Sequence, residues 1–151
     1  ISDELAEELD IVRGELDEVL RHADILVVQV PHTPKTEKMI GAHELELLGK
    51  NKILVNCSRG KVIDQQALIA KLEAKEIIAG LDVFDPEPME KECVLRHMPN
   101  AFVTPHIAWY SPNSFTRYFA SMAQEFERFF KGEPLQYELT RRMVDIRNGQ
   151  L

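Results

Sequence analysis

The stretch ILVNCSRGKVIDQQALIAKLEAKEIIAGLDVF, residues 53–84, decides the fold class of this chain. Two apolar runs rich in branched side chains predict buried strands at Ile53–Asn56 and Ile78–Phe84. Between them, Asp64 is a suitable N-cap for a helix over Gln65–Glu76. Continuously apolar strands are typical of parallel sheets, and a helix that joins two such strands crosses over in a right-handed sense. The stretch therefore predicts a strand–helix–strand unit of a parallel sheet.

The same alternation continues on both sides of this unit. Two further apolar runs predict strands at Ile25–Val30 and Ala101–Thr104. Other segments have helical patterns, and those expected to form helices are Asp3–Leu9, Glu15–His22, Ala42–Leu48 and residues 112–131. Strands that alternate with helices predict one α/β domain, a doubly wound parallel sheet with a long C-terminal helix.

The last predicted helix has the clearest boundaries. Ser111 is a suitable N-cap, Pro112 occupies the first helical position, and Gly132 follows the end. Aromatic and methionine side chains recur along this helix every three or four residues, which is typical of a face packed into the core. The residues of this face are Phe115, Phe119, Met122, Phe126 and Phe130. The polar tail, residues 135–151, is expected to dock on the domain or to fray.

The composition is that of a globular domain, since 44% of the 151 residues are hydrophobic and 28% are charged. A net charge of −7 argues against nucleic acid as a partner. The apolar runs are too short to span a bilayer, and no signal segment opens the chain, so neither a membrane partner nor secretion is expected. The two cysteines, Cys57 and Cys93, form no disulfide framework, which favours a cytoplasmic location.

Three side chains of complementary chemistry, Arg59, Glu87 and His106, follow the second, third and fourth predicted strands. Because ligands bind outside the carboxyl ends of parallel strands, these side chains are expected to converge on one rim. A guanidinium can bind a substrate carboxylate and polarise a carbonyl, an imidazole can exchange a proton, and a carboxylate can orient that imidazole. The set predicts reduction of a 2-keto acid to a 2-hydroxy acid with hydride from a cofactor.

Each of these residues also has a structural interpretation. His106 could be a structural hydrogen-bonding residue, Arg59 could cap a turn, and Glu87 between two prolines could lie in a rigid surface loop. Cys57 as a thiolate nucleophile is a weaker hypothesis, because no histidine is adjacent to it in sequence. The five histidines do not share ligand spacing, so no metal is expected.

Four blocks of sequence resemble the D-isomer-specific 2-hydroxyacid dehydrogenase family. Residues 56–64 resemble its Asn-x-x-Arg-Gly-x-x-Val-Asp signature, and Gly80-Leu81-Asp82-Val83-Phe84 with Glu87-Pro88 resembles its Asp-Val-Phe…Glu-Pro element. Residues 100–106 are similar to its Asn-x-x-x-Thr-Pro-His segment. Earlier in the chain, Ala23-Asp24-Ile25 and Pro31-x-Thr33-x-x-Thr36 match its strand and cofactor-side loop. The order and spacing of the blocks agree over residues 20–135.

The resemblance implies a partial Rossmann-type fold that binds NAD or NADP, and a role for each matched residue. Arg59 would bind the substrate carboxylate, His106 would be the general acid/base, and Glu87 would pair with His106. Asp82 would lie near the nicotinamide carboxamide. The residues that would contact the cofactor are Pro31, Cys57, Ser58, Arg59, Asp82 and His106. The continuation to Trp109 is similar to the glycerate and hydroxypyruvate reductase branch, and the family implies a homodimer.

The chain departs from the family at the phosphate-binding loop. The family's Gly-x-Gly-x-x-Gly sequence is absent, and so is the residue that reads the ribose 2′ position, which leaves NAD and NADP open. The first residue is Ile1 rather than methionine. We therefore expect residues 1–151 to be the C-terminal part of a nucleotide-binding domain, inactive alone and with an uncovered strand edge at Ile25–Val30. The alternative is a non-enzymatic, ligand-sensing or corepressor-like module on the same fold.

Overall fold

The computed structural model describes residues 2–149; Ile1 and the last two residues of the predicted tail lie outside this range. The helices are α1 (Asp3–Glu8), α2 (Leu16–His22), α3 (Ala42–Leu48), α4 (Gln65–Glu73), α5 (Pro112–Lys131) and α6 (Arg141–Arg147). The strands are β1 (Ile25–Val28), β2 (Lys52–Asn56), β3 (Ile77–Leu81) and β4 (Ala101–Val103). Two short 3₁₀ turns cover Gly60–Val62 and Val94–Arg96. The order of elements follows the predicted alternation.

The strands form one parallel sheet in the order β1-β2-β3-β4. Its register pairs Leu26 with Leu54 between β1 and β2, and Leu81 with both Asn56 and Val103 in the neighbouring strands. Helices α3 and α4 connect β1 to β2 and β2 to β3, so each connection crosses over as parallel strands require. The predicted parallel α/β architecture is confirmed.

The strands stop earlier than their apolar runs. β1 ends at Val28 instead of Val30, and β3 ends at Leu81 instead of Phe84. Val83 and Phe84 remain buried after β3 although they no longer pair with a neighbouring strand. An apolar run therefore indicates which residues are buried, and burial continues past the end of the strand into the loop. For this reason the length of the run exceeds the length of the strand.

Helix α4 begins as predicted and ends one turn early. The Asp64 carboxylate accepts the backbone N–H of Gln66 at 3.1 Å and that of Ala67 at 3.2 Å, which confirms the N-cap. The helix ends at Glu73, because Lys75 has a φ of 56° and turns the chain toward β3.

Helices α2, α3 and α4 cover one face of the sheet. The leucines that are at most 1% exposed are Leu20, Leu45, Leu48, Leu54, Leu72 and Leu95. Burial of one such side chain stabilises the native state by roughly 2 kcal/mol. This one-sided core holds the strands, and hence the loops that follow them, in fixed positions.

A buried lysine joins two helices to the start of β3. Lys71 Nζ in α4 lies 2.6 Å from the Glu76 carboxylate and 3.1 Å from that of Glu46 in α3. Burial alone would lower the pKa of Lys71, but hydrogen bonds to these two carboxylates raise it above its ordinary value. Hydrogen bonds from Lys50 and Lys71 lower the pKa of Glu76. Lys71 therefore remains charged and ties α3 and α4 together.

The opposite face of the sheet is uncovered within residues 2–149. Its apolar side chains and their exposed fractions are Ile25 59%, Val27 59%, Ile53 37%, Ile78 45% and Phe102 68%. β1 is an edge strand, as expected for the first strand. The described residues thus build a Rossmann-type sheet with helices on one of its two faces.

Helix α5 has the predicted ends but not the predicted environment. Ser111 Oγ accepts the Ser114 N–H at 3.1 Å, Pro112 is the first helical residue, and Gly132 has a left-handed φ of 69°. The prediction that its aromatic face packs into the core is wrong, because no α5 side chain is buried. Exposed fractions along the predicted face are Phe115 45%, Phe119 51%, Met122 41%, Phe126 62% and Phe130 82%. Helical periodicity identifies an apolar face without specifying what covers it.

The tail contains a helix, α6, that the sequence analysis did not predict. Its N-cap is Thr140, whose Oγ1 accepts the Met143 N–H at 3.3 Å. Beyond α6, Gly149 packs on the ring of Pro34, since a Cβ at Gly149 would lie 3.0 Å from Pro34 Cγ. This end of the tail thus docks on the loop after β1. Among residues 2–149, no helix combines the length and apolar character needed to cross a membrane.

Candidate active site

The loop after β1 is held by the hydroxyl of one threonine. Thr36 Oγ1 donates to the Pro31 carbonyl at 2.6 Å and accepts the Thr33 N–H at 2.8 Å. Thr33 itself is buried. The Thr33 hydroxyl lies 3.2 Å from Thr36 Oγ1, so both threonines of the Pro-x-Thr-x-x-Thr sequence belong to the network that holds the backbone of Pro31 at the carboxyl edge of the sheet.

The loop after β2 is built around Asn56, which is 1% exposed. Its Oδ1 accepts the backbone N–H of Ser58 at 3.0 Å and the Ser58 hydroxyl at 2.8 Å. Its Nδ2 donates to the Arg59 carbonyl at 3.0 Å. A single buried amide therefore satisfies three polar groups and fixes the turn that presents Arg59.

Gly60 allows this turn to pack on the loop after β3. A Cβ at Gly60 would lie 1.9 Å from the Phe84 carbonyl oxygen and 2.1 Å from its carbonyl carbon. Only a residue without a side chain permits this approach of two backbones. The Arg-Gly pair therefore couples the position of Arg59 to the loop that carries Glu87.

His106 and Glu87 form a hydrogen-bonded pair, with 2.7 Å between His106 Nδ1 and Glu87 Oε1. They come from the loops after β4 and β3, and their side chains are 40% and 35% exposed. His106 has a φ of 56°, a left-handed conformation that is uncommon outside glycine. The carboxylate fixes the ring orientation and leaves Nε2 on the other side of the imidazole.

Asp82 lies at the end of β3 and organises the turn that carries His106. Its Oδ1 accepts the Thr104 hydroxyl at 2.5 Å and the Ile107 N–H at 2.9 Å, and its Oδ2 accepts the Ala108 N–H at 2.8 Å. Burial by itself would raise the pKa of Asp82, but these hydrogen bonds and the nearby His106 hold the pKa below its ordinary value. Asp82 is therefore a buried carboxylate anion that binds the residues on both sides of His106.

Two cavities lie at this edge of the sheet. A cleft of about 1000 Å³ is lined by residues 29–34 after β1, by residues 57–59 after β2, and by α6. Four of the predicted cofactor residues line this cleft, namely Pro31, Cys57, Ser58 and Arg59. A second cavity of about 510 Å³ is lined by Glu87 and His106, among others. The larger cleft has the size of a small-molecule site, and the two other predicted cofactor residues, Asp82 and His106, do not line it.

Three residues that shape the site have no individual role predicted from the sequence. Asn56 and Thr104 were part of recognised motifs, and each is the first polar residue after an apolar run, which is the signal that could have identified them. In the sequence, Trp109 indicates only the branch of the family. In the structure its Nε1 donates to the His106 carbonyl at 2.9 Å.

A parallel sheet with these loops and a histidine–glutamate pair at its carboxyl edge defines a nucleotide-binding domain of the dehydrogenase class. The chain belongs to the D-isomer specific 2-hydroxyacid dehydrogenase family, since the model of that family's NAD binding domain matches residues 2–108. The resemblance found in the sequence is confirmed.

The names of similar curated proteins agree with membership in this family. The chain is 44% identical over 105 residues to glyoxylate/hydroxypyruvate reductase B of Enterobacter agglomerans, covering 69% of this chain and 32% of the relative. It is 35% identical over 123 residues to glycerate dehydrogenase of Methylorubrum extorquens, covering 80% and 39%. These names support the reductase branch suggested by the sequence around Trp109.

Solved structures agree as well. The holo form of Rhodotorula graminis D-mandelate dehydrogenase superimposes with a TM-score of 0.85 at 29% identity, covering 93% of this chain and 41% of that one. A 2-hydroxyacid dehydrogenase from Xanthobacter autotrophicus, solved with NADPH, has a TM-score of 0.72 at 34% identity, covering 84% and 52%. The chain spans about a third of the length of the curated relatives named above.

Proposed function

We propose that this chain is the catalytic portion of an NAD(P)-dependent enzyme that reduces a 2-keto acid to a D-2-hydroxy acid. The observation that carries the proposal is the 2.7 Å hydrogen bond between His106 Nδ1 and Glu87, at a sheet edge that also presents Arg59. A carboxylate at Nδ1 orients the imidazole, so that Nε2 can give a proton to a substrate oxygen.

Arg59 binds the substrate carboxylate and polarises the neighbouring keto group. One of its guanidinium N–H groups, on Nη1, donates to the Ser58 carbonyl at 2.6 Å. A guanidinium has five N–H groups, so this bond anchors the side chain and leaves a fork for a carboxylate. The cofactor, when bound, supplies hydride to the keto carbon. His106 delivers the proton to the keto oxygen, which completes the hydroxy acid.

The proposed cofactor contacts come from all four loops. Pro31, Cys57 and Ser58 would offer mainly backbone groups, and Arg59 and His106 would contact the nicotinamide end of the cofactor. Asp82 is 2% exposed and accepts three hydrogen bonds, which leaves one of the about four acceptor sites of a carboxylate. An N–H of the nicotinamide carboxamide would take the remaining site. Both NAD and NADP fit these contacts.

The proposed partner is a second copy of this chain. The exposed face of α5 and the segment after it line an apolar groove of about 560 Å³ whose members include Met122, Phe126, Phe129 and Leu135. An exposed apolar surface of this kind on a helix is typical of a protein–protein interface. We further propose a cytoplasmic location, because the two cysteines form no disulfide framework. The net charge of −7 supports the proposal that nucleic acid is not a partner, and the short apolar runs support the absence of a membrane partner.

The test is reduction of a panel of 2-keto acids with NADH and NADPH by the complete protein that carries this sequence. His106→Gln should lower the rate by roughly 10²- to 10⁴-fold. His43→Gln, at an exposed position of α3, is the matched control and should leave the rate unchanged. Arg59→Ala should mainly raise the KM for the keto acid. Cofactor binding without turnover would instead favour a ligand-sensing module, and full activity of both site variants would refute the assignment.

The 151-residue chain alone is expected to be inactive, because its sequence contains no glycine-rich phosphate loop to hold the pyrophosphate. Titration of this chain with NADH, followed by NADH fluorescence, measures how much cofactor affinity is lost without the phosphate loop. Binding as tight as that of the complete protein would show that the loop is dispensable.

A further inference from the structure

The backbone at His106 is held in a conformation that the sequence alone does not favour. Its φ of 56° lies in the left-handed region, where a side chain with a Cβ is strained. Such a conformation persists only where surrounding contacts determine it. The contacts that hold the backbone of His106 therefore also determine where its imidazole lies.

Asp82 holds the residues after His106 but not the peptide carbonyl of His106 itself. The Asp82 carboxylate binds the amides of Ile107 and Ala108. The His106 N–H donates to the Thr104 carbonyl at 3.1 Å. The His106 carbonyl instead accepts the indole N–H of Trp109 at 2.9 Å.

The indole is itself held in place by its neighbours. Trp109 and Tyr110 meet edge to face, with ring centroids 5.4 Å apart and an interplanar angle of 88°. The Tyr110 N–H donates to the Ile107 carbonyl at 2.9 Å, which closes the turn that carries both rings. Trp109 is 56% exposed, so burial of its ring does not account for its position, whereas the hydrogen bond does.

We propose that Trp109 is a positioning residue for His106, acting through the indole-to-carbonyl hydrogen bond on the left-handed backbone. The bond fixes the peptide plane after His106 and, with Glu87 at Nδ1, determines the direction of Nε2. This inference rests on the proposed function, because it assigns Trp109 to the proton transfer that His106 performs. Trp109 needs no contact with the reacting atoms for this role.

Trp109→Phe removes the indole donor and keeps an apolar ring. In the complete protein it should lower kcat by roughly 3- to 10-fold, the range of one hydrogen bond, with the KM for the cofactor unchanged. Tyr110→Phe, which keeps the ring contact, is the control and should retain full kcat. In a His106→Gln background the same Trp109 change should have no further effect, because residues that act as a unit are not additive. An equal loss in both backgrounds would overturn the proposal.

A second measurement does not depend on activity. Trp109 is the only tryptophan of the 151-residue chain, so its indole N–H gives a single resonance. That proton should exchange with solvent more slowly than in free tryptophan, and Trp109→Phe should speed exchange of the Ile107 and Ala108 amides by roughly 3- to 10-fold. An unprotected indole proton, or unchanged amide exchange, would overturn the proposal. If the complete protein reduced no keto acid, the proposed function would fail while this measurement still decided the role of the indole.

Discussion

Replacement of Asp82 by asparagine should destabilise the turn that carries His106, and the hydrogen bonds give the size of the effect. The carboxylate accepts the Thr104 hydroxyl and the amides of Ile107 and Ala108. An asparagine side chain has one acceptor oxygen, so its NH₂ group must face at least one of these donors. The change removes at least one hydrogen bond to a charged acceptor, worth about 1.5–3 kcal/mol, and places the NH₂ group of the asparagine against another donor. We expect the free energy of unfolding to fall by about 2–3 kcal/mol at neutral pH.

The same substitution should change the response to acid. Because the pKa of Asp82 is lowered in the native state, the unfolded chain binds its proton more readily than the folded chain. The stabilisation is therefore fully present above the ordinary value of 3.8 and is lost as the pH falls through the lower native value. The difference between the original protein and Asp82→Asn should accordingly be largest near neutral pH and shrink in acid.

Urea unfolding at a series of pH values measures both effects. Asp10→Asn is a suitable control, because Asp10 is exposed and has a positive φ that asparagine also tolerates. The reasoning would be refuted if Asp82→Asn cost no more stability than Asp10→Asn. It would also be refuted if the difference from the original protein stayed constant down to strongly acidic pH.

Three further substitutions test other features of the structure. Gly60→Ala places a methyl group on the carbonyl of Phe84 and should cost about 3 kcal/mol or more of unfolding free energy, as overpacking against backbone does; an unchanged urea midpoint would contradict the close approach. Lys71→Met removes a buried cation from its two carboxylate partners and should lower the free energy of unfolding by about 1–3 kcal/mol. Because the side chains of Lys71 and Glu76 are only 7% and 20% exposed, added salt should not reproduce this loss in the original protein, and an equal loss in salt would contradict their burial. Phe126→Glu places a charge in the apolar groove of α5 and should weaken self-association of the complete protein at least about 10-fold in sedimentation, one tenfold being about 1.4 kcal/mol; an intact dimer would locate the interface elsewhere.

The positions of the site residues along the chain could be predicted because strand and loop chemistry are local. An apolar run that ends in a polar residue marks the carboxyl end of a strand, and this places Arg59, Glu87 and His106 on the proper loops. The caps of α4 and α5 were likewise predictable, since Asp64 and Ser111 bond amides only two or three residues away. Local signals of this kind need no knowledge of the tertiary structure.

What the sequence does not reveal depends on distant partners. The aromatic face of α5 has the period of a core helix, yet nothing within residues 2–149 buries it. The role of Asp82 in the His106 turn joins residues 25 and 26 positions apart. Trp109 and His106 are only three residues apart, but their hydrogen bond occurs on a left-handed backbone at His106 that the residue types of the segment do not predict.

The order of the strands in the sheet has a consequence for how the chain is made. Each strand lies beside the one before it in sequence, so every strand pairing becomes available as soon as the next strand leaves the ribosome. The four strands can therefore pair in chain order during synthesis, and each pairing joins residues that lie 22 to 28 positions apart. In that order the turn with Arg59 is built before Glu87 arrives, and His106 is the last of the three to be placed. A translation product that stops before β4 would contain all of the buried leucines and would lack the proposed proton donor, His106.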